Sequence, residues 1–170
     1  MVSIIERPVP QFDPAKGLLN NDHFQLGYVT SDIAAAERLF AEHFGVREFR
    51  RRDNDLPGGT SVSTRTVWIG AMMYELACGK GPGMEQFSRF APADGRVMAF
   101  HHFGYLVPDD ASWQSLAAEV ARGGWEVLAR SDAPGFARTM MIHAPELGHC
   151  LEYVQPREGL AEQMNRTPCA

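Results

Sequence analysis

The stretch QLGYVTSDIAAAERLFAE, residues 25–42, decides the fold because it returns 77 residues later as HFGYLVPDDASWQSLAAE, residues 102–119. The two stretches are identical at seven of 18 positions without a gap, where ordinary composition gives roughly one identity. The same offset pairs Glu75 with Glu152, fifty residues beyond the start of each stretch. Self-similarity of this length predicts two copies of one structural unit.

Each copy of the repeat has the pattern of one strand, one helix and three further strands. An apolar run ends at an Asp suited to capping a helix, Asp32 in the first copy and Asp109 in the second. Apolar residues then recur at three- and four-residue steps as far as Gly45 and Gly124, which are typical helix stops. Three strand-like runs complete each copy, at 46–52, 61–70 and 71–78 and at 125–131, 136–143 and 149–155.

This order predicts an α+β fold in which two tandem βαβββ modules face each other around a central cleft. We expect the chain to divide into an N-terminal extension at 1–20, module 1 at 21–79, a linker at 80–97, module 2 at 98–156 and a C-terminal tail at 157–170. The linker is rich in Gly, Pro and charge. The tail has the composition of a short helix or a frayed end, with a role in dimer contacts as one option.

Composition and charge exclude several classes of partner. The chain has 170 residues, 45% of them hydrophobic, which suits one compact body. A net charge of -5 offers no basic surface to nucleic acid or to a membrane, so we expect a small-molecule substrate. The N-terminus lacks the layout of a signal peptide, which predicts a cytoplasmic protein. The three cysteines form no CxxC pair, which argues against a disulfide framework and a thiolate zinc site.

Four polar residues interrupt apolar strands at matching positions of the two copies. Strand alternation places Gln25 and, through the offset, His102 on the face opposite the helix. Glu75 and Glu152 stand in the same way between apolar neighbours, where a carboxylate is costly to bury unless it is paired or bound to a cation. A solvated sheet face explains any one of the four residues, but the shared offset favours a common site.

If the two modules face each other, these four side chains converge as a set of oxygen and nitrogen donors. Such a set suits Zn, Mn, Fe(II), Co or Ni better than Cu(I), which prefers sulfur. The same alternation predicts that Met73, Phe100 and Cys150 line the substrate pocket. The basic run Arg47 and 50–52 has two interpretations, a receptor for an anionic substrate or, more simply, a solvated strand face.

Four motifs in the correct order resemble the vicinal-oxygen-chelate superfamily, which includes glyoxalase I, extradiol dioxygenases and bleomycin-resistance proteins. They are QLGYVTSD (25–32), YELACG (74–79), HFGYLVPD (102–109) and LEYVQP (151–156). The resemblance covers about residues 21–157. It implies a cup-shaped mixed sheet around a divalent metal ion, and it puts Gln25, Glu75, His102 and Glu152 on the four metal-ligand positions.

The resemblance further implies a homodimer and an isomerase or lyase of the glyoxalase type with no cofactor besides the metal. In that chemistry the metal stabilises an enolate while Glu152 or Glu75 removes a proton next to a carbonyl of a small, partly apolar, oxygen-bearing substrate. The alternative is a metal-free binding or sequestration protein of the bleomycin-resistance type. An extradiol dioxygenase fits less well, because Gln25 occupies a position where that chemistry uses His.

Overall fold

The structure is a computed structural model that describes residue 13 and residues 17–170, so most of the predicted N-terminal extension at 1–20 lies outside the described residues. The order of elements is a βαβββ unit twice over, as the repeat predicts, and each unit is followed by a short helix. The first unit comprises β1 (Asp22–Thr30), α1 (Ile33–Phe44), β2 (Arg50–Leu56), β3 (Thr60–Ile69) and β4 (Met72–Lys80), and α2 (Glu85–Ser88) follows it. The second comprises β5 (Met98–Leu106), α3 (Asp110–Gly123), β6 (Val127–Ala133), β7 (Ala137–Ala144) and β8 (His149–Pro156), and α4 (Glu158–Asn165) follows it.

Helices α1 and α3 begin and end at the residues that the sequence marks. The Asp32 side chain accepts a hydrogen bond from the Ala35 amide at 3.0 Å, and Asp109 accepts one from the Ser112 amide at 2.7 Å. Gly45 ends α1 in the left-handed conformation with φ 75°, and Gly124 ends α3 in the same way. Local capping chemistry therefore delimits both helices.

All eight strands form one curled sheet in the order β2-β3-β4-β1-β5-β8-β7-β6. Within each unit the first strand is parallel to the last, β1 to β4 and β5 to β8. The two units join through the antiparallel pair β1 and β5 at the centre of the sheet. The cup-shaped mixed sheet is thereby confirmed, and its two halves lie within one chain.

Apolar packing separates the two faces of the sheet. On one face, α1 and α3 each cover the strands of their own unit, for example Phe40 on Leu76 and Leu116 on Leu151. On the other face, called the cup face below, a smaller cluster contains Phe24, Met73 and Val154 together with Leu160 and Met164 of α4. The cup face is therefore the one left with room for a ligand.

The C-terminal segment docks on its own chain and crosses to the first unit. Trp68 of β3 donates from its indole nitrogen to the Met164 carbonyl at 3.1 Å. Its backbone amide donates to the Pro168 carbonyl at 2.8 Å, and the Ala170 amide donates back to the Trp68 carbonyl at 2.9 Å. The expected short helix is present as α4, and it lies across the cup.

The stretch predicted as a linker also contains structure. Helix α2 packs against β4 and β1, and it approaches β4 closely at Gly79, where a β-carbon would lie 2.9 Å from the Phe87 ring. Because a Gly on the strand leaves this space, the helix fits against the sheet. Among the described residues, no helix combines the length and apolar character needed to cross a membrane.

Candidate metal centre

Two neighbouring rows across the sheet bring the four predicted ligands together. One row runs Glu75, Gly27, His102 and Cys150 across β4, β1, β5 and β8. The next row runs Met73, Gln25, Gly104 and Glu152 across the same strands. In each row, the two central strands β1 and β5 contribute one glycine and one polar side chain. The 77-residue offset relates the two rows.

The glycines make room for the polar side chains above them. A β-carbon at Gly27 would lie 1.9 Å from Cε1 of His102, so the imidazole lies directly over the Gly27 backbone, on the side of Glu75. A β-carbon at Gly104 would lie 2.7 Å from Oε1 of Gln25. Each glycine in one repeat therefore accommodates the predicted ligand of the other repeat.

Three of the four side chains meet at metal-binding distances. The potential ligand atoms of Glu75, His102 and Glu152 all lie within 4.8 Å of one another. Nε2 of His102 is 3.3 Å from Oε2 of Glu152 and 3.6 Å from Oε2 of Glu75. Gln25 is buried beside them and faces the same cavity as both carboxylates.

The burial of these groups fits a bound cation. His102 is fully buried, and within the part of the chain that the structure describes its Nε2 makes no hydrogen bond. A buried polar atom without a partner is unfavourable, and this one points at two carboxylates that repel each other. A divalent cation between them satisfies the nitrogen and neutralises the oxygens, and nitrogen and oxygen donors suit Zn or the neighbouring transition metals. The residues present therefore fit a divalent metal.

The electrostatics of the metal-free site lead to the same conclusion. Burial raises the pKa of Glu75 to about 7, and the charge of Glu152 adds to the rise while His102 and Arg52 oppose it. Burial alone would lower the pKa of His102, but contact with Glu152 and the charges of both carboxylates outweigh it and raise this pKa. Without a metal, the cluster retains protons that compensate its negative charge.

A cavity of about 330 Å³ opens from the two carboxylates along the cup face. It lies at the end of the cup that α4 covers, and both repeats and α4 contribute to its walls. Besides Gln25, Glu75 and Glu152, its lining includes Phe24, Arg50, Arg52, Thr64, Thr66, Met73, Ser131, Phe136, Thr139, Val154, Leu160, Gln163, Met164 and Thr167. His102 is not part of the lining, so the carboxylates face the cavity and the imidazole lies behind them.

Of the three residues predicted to line the pocket, Met73 does so, whereas Phe100 and Cys150 do not. Cys150 occupies the position equivalent to Met73 but is fully buried at the other end of the cup. Phe100 contacts Tyr28 at 5.7 Å and Phe103 at 4.9 Å between ring centroids, on the opposite face of the sheet.

A β-bulge explains the position of Phe100. In β5, His102 pairs with Gly27 but Phe100 pairs with Tyr28, which leaves His101 as an extra residue. One inserted residue reverses the alternation of side chains beyond it, so a parity argument fails there. The matching bulge in β1 inserts Phe24, and 24 and 101 are again 77 apart.

Sequence reasoning missed the contribution of the two short helices. Leu160 and Met164 of α4 form part of the cavity wall at one end of the cup, and their four-residue spacing was the available signal. Phe87 and Phe90, in and just after α2, pack on His101 with ring centroids 5.9 Å and 5.0 Å away.

The arginines of β2 do not all face the cavity. Arg50 and Arg52 line the cavity, whereas Arg51 pairs with Glu37 outside it.

Comparison with known proteins adds evidence on the fold alone. Neither a protein-family model nor a curated protein matches the sequence. Among solved structures, the methylmalonyl-CoA epimerase of Mycobacterium tuberculosis is similar over 87% of this chain and 99% of its own, with a TM-score of 0.56 and 16% identity. A variant of the Streptomyces coelicolor methylmalonyl-CoA epimerase, in complex with 2-nitronate-propionyl-CoA, is similar over 81% and 96%, with a TM-score of 0.57 and 16% identity.

A hypothetical protein from Bacillus halodurans is also similar, over 81% of this chain and 96% of its own, with a TM-score of 0.52 and 17% identity. The similarity extends over nearly the whole length of these structures. The chain therefore shares the fold of these solved structures, among them methylmalonyl-CoA epimerases.

Proposed function

We propose that this protein is a divalent-metal-dependent enzyme of the glyoxalase type, an isomerase or lyase, in which Gln25, Glu75, His102 and Glu152 bind the metal. The observation that carries the proposal is the convergence of three potential ligand atoms within 4.8 Å at the floor of a cavity. The unpartnered Nε2 of His102 supports it, because a metal ion is the partner that best suits this nitrogen between two carboxylates.

The two carboxylates are the groups that reach a substrate. Glu75 and Glu152 line the cavity, and each retains an exposed side-chain fraction, 17% and 19% respectively. In this proposal, whichever carboxylate loosens from the metal takes a proton from a carbon next to a carbonyl and returns it. When bound, a divalent metal supplies Lewis-acid stabilisation of the negative charge that develops on the substrate oxygen.

The walls of the cavity suit a small, partly apolar substrate with several oxygen atoms. Phe24, Met73 and Val154 form an apolar side, and Thr64, Thr66 and Thr139 offer hydroxyl groups. Because similar structures are methylmalonyl-CoA epimerases, one of them solved in complex with methylmalonyl-CoA, epimerisation of an acyl-CoA thioester is the first reaction to assay. Assays of hemithioacetal isomerisation then test the glyoxalase-type alternative.

The test combines metal binding with proton exchange. Purified protein stripped of metal is titrated with Zn²⁺, Ni²⁺, Co²⁺ and Mn²⁺, and exchange of the substrate C–H hydrogen is followed by NMR in D₂O. We expect one metal per chain in the wild type and loss of both metal and exchange in a His102→Ala/Glu152→Ala variant.

The matched control is His143→Ala/Glu126→Ala, which removes another His–Glu contact, 3.0 Å long, away from the centre. This control should keep metal and exchange. Failure of the wild type to bind any of the four metals contradicts the proposal and favours the metal-free binding protein.

We also propose a homodimer in the cytoplasm as the working form. Both repeats and α4 of one chain contribute to the cavity walls. Sedimentation analysis at micromolar concentration tests the dimer: a mass of two chains is expected, and a mass of one chain contradicts it.

A further inference from the structure

We propose that His101 is a positioning residue: it accepts a hydrogen bond from Nδ1 of His102 and so presents Nε2 of His102 to the metal. The inference rests on the proposed metal-dependent function. It assigns a role to a buried histidine that does not reach the cavity and that binds no substrate.

The contact between the two rings is short and buried. Nδ1 of His101 lies 2.9 Å from Nδ1 of His102, and the rings are nearly perpendicular, at 86°. Both side chains are buried, with 1% and 0% of their surface exposed. Nε2 of His102 makes no hydrogen bond of good geometry within the described part of the chain, although Oε2 of Glu152 lies 3.3 Å from it. His101 is the group that contacts the ring at Nδ1.

The direction of the hydrogen bond follows from the chemistry of a ligand. A neutral imidazole carries one N–H, and the nitrogen that binds a metal must present its lone pair. Nε2 is the nitrogen that faces Glu152 and Glu75, at 3.3 Å and 3.6 Å. The proton of metal-bound His102 therefore lies on Nδ1, and His101 must be the acceptor. Metal-bound histidines generally donate their second N–H in this way, and the partner sets the tautomer and the ring orientation.

Local structure also holds the His101 ring in place beside His102. His101 is the bulged residue of β5, and the bulge allows two successive side chains to lie close enough for contact. Phe87 and Phe90 hold its ring from the outside. Helix α2 itself fits against the sheet because Gly79 leaves space for it. The segment between the repeats therefore supports the metal centre.

The first repeat supplies an internal control. At the equivalent bulge, Phe24 precedes Gln25, just as His101 precedes His102. An amide oxygen is a metal ligand without alternative tautomers, so it needs no acceptor to select one. A histidine thus stands at this position in the repeat whose ligand is an imidazole, and an apolar ring stands there in the repeat whose ligand is an amide.

The experiment compares His101→Phe with His101→Asn and the wild type. Phe keeps an apolar ring under α2 without an acceptor, whereas the Asn carbonyl restores an acceptor near the position of Nδ1. The control is His143→Phe, which changes another histidine on the Phe90 ring, 5.4 Å away, that does not touch His102. Zn²⁺ affinity, the thermal midpoint of the metal-free protein and the ¹⁵N shifts of His102 are measured.

We expect His101→Phe to weaken Zn²⁺ binding about 10–100-fold, the range typical of losing such a partner. The metal-free thermal midpoint should stay close to that of the wild type, His101→Asn should recover most of the affinity, and His143→Phe should bind as the wild type does. In the zinc form of the wild type, the ¹⁵N shifts should show the His102 proton on Nδ1.

Wild-type affinity in His101→Phe, or a proton on Nε2 of zinc-loaded His102, overturns the inference while leaving the metal site intact. Failure of the wild type to bind Zn²⁺ overturns this inference and the metal site together. If His101→Phe does not fold, the ¹⁵N shifts of the wild type and the affinity of His101→Asn decide.

Discussion

The two repeats have the same backbone plan but use equivalent positions for different purposes. Phe24 and Gln25 in the first repeat correspond to His101 and His102 in the second. The carboxylates Glu75 and Glu152 are retained in both. The two repeats therefore supply a symmetric pair of carboxylates, whereas only the second repeat supplies an imidazole beside them.

The two ends of the cup also differ, because equivalent positions face a cavity at one end and packed rings at the other. At one end, α4 leaves a cavity of about 330 Å³ beside Met73 and Arg52. At the other end, the rings of Phe87 and Phe90 pack on His101, and the equivalent of Met73 is the fully buried Cys150. A symmetric fold therefore acquires one open end for a substrate and one closed end that supports the ligands. The following predictions test this division.

The largest effect is expected from removing the first-strand ligand of each repeat. His102→Ala should abolish measurable Zn²⁺ binding, because it removes the buried nitrogen that faces both carboxylates. Gln25→Ala should weaken binding by less, since the amide oxygen is the weaker donor. Competition titration against a chelator of known affinity measures both. Equal affinities in the two variants would mean that the repeats contribute equally and would break the comparison.

The two central glycines provide the next test. Gly27→Ala should lower Zn²⁺ affinity about 10–100-fold, as a misplaced ligand does, because the new methyl group would lie 1.9 Å from the His102 ring. Gly104→Ala should have a smaller effect on Zn²⁺ affinity, since the new methyl group would displace Gln25, 2.7 Å away, whose amide oxygen is the weaker donor. Calorimetric titration of both variants gives the order. A larger loss in Gly104→Ala would contradict the assignment of His102 as the stronger ligand.

Substitutions in the two short helices should distinguish effects on stability from effects on metal binding. Met164→Ala and Phe87→Ala are each expected to lower the free energy of unfolding by about 1–3 kcal/mol, since both side chains are partly buried. Only Phe87→Ala should also weaken Zn²⁺ binding, because Phe87 packs on His101, whereas Met164 lines the cavity. Urea unfolding and Zn²⁺ titration measure the two effects. Weaker metal binding in Met164→Ala would remove the distinction between the two ends.

The smallest expected effect is the pH dependence of the metal-free protein. The pKa of Glu75 is raised from 4.5 to about 7 in the folded state, chiefly by burial. Its contribution to stability is therefore fully present below pH 4.5 and is lost as the pH rises through 7. In a chelator, the thermal midpoint of the wild type should fall by a few degrees relative to Glu75→Gln between pH 5 and pH 8.

Asp94→Asn is the control for that measurement. Hydrogen bonds from the Arg96 amide and guanidinium hold the pKa of Asp94 below its usual range. Its titration is complete below pH 5, so its removal should produce no drift between pH 5 and pH 8. A flat difference between the wild type and Glu75→Gln would show that Glu75 ionises normally in the metal-free site.

The sequence by itself determined the duplication, the order of the elements and the convergence of Glu75, His102 and Glu152, with Gln25 beside them. Helix limits followed from Asp32, Asp109, Gly45 and Gly124, because capping depends on residues close together in the chain. The position of the acids followed from strand alternation and the constant offset, both of which hold wherever a strand is regular.

Only the tertiary structure decided which of the remaining residues reach the cavity. Phe100 was predicted in the pocket by parity, but the bulge at His101 reverses the parity. Cys150 has the correct parity and lies instead at the end of the cup that α2 fills. Bulges depend on the pairing of two distant strands, and the filling of the cup depends on helices that pack across the repeats. The bulge leaves no periodic signal in the local sequence, and the four-residue spacing of Leu160 and Met164 does not indicate where α4 docks, so long-range packing decides both.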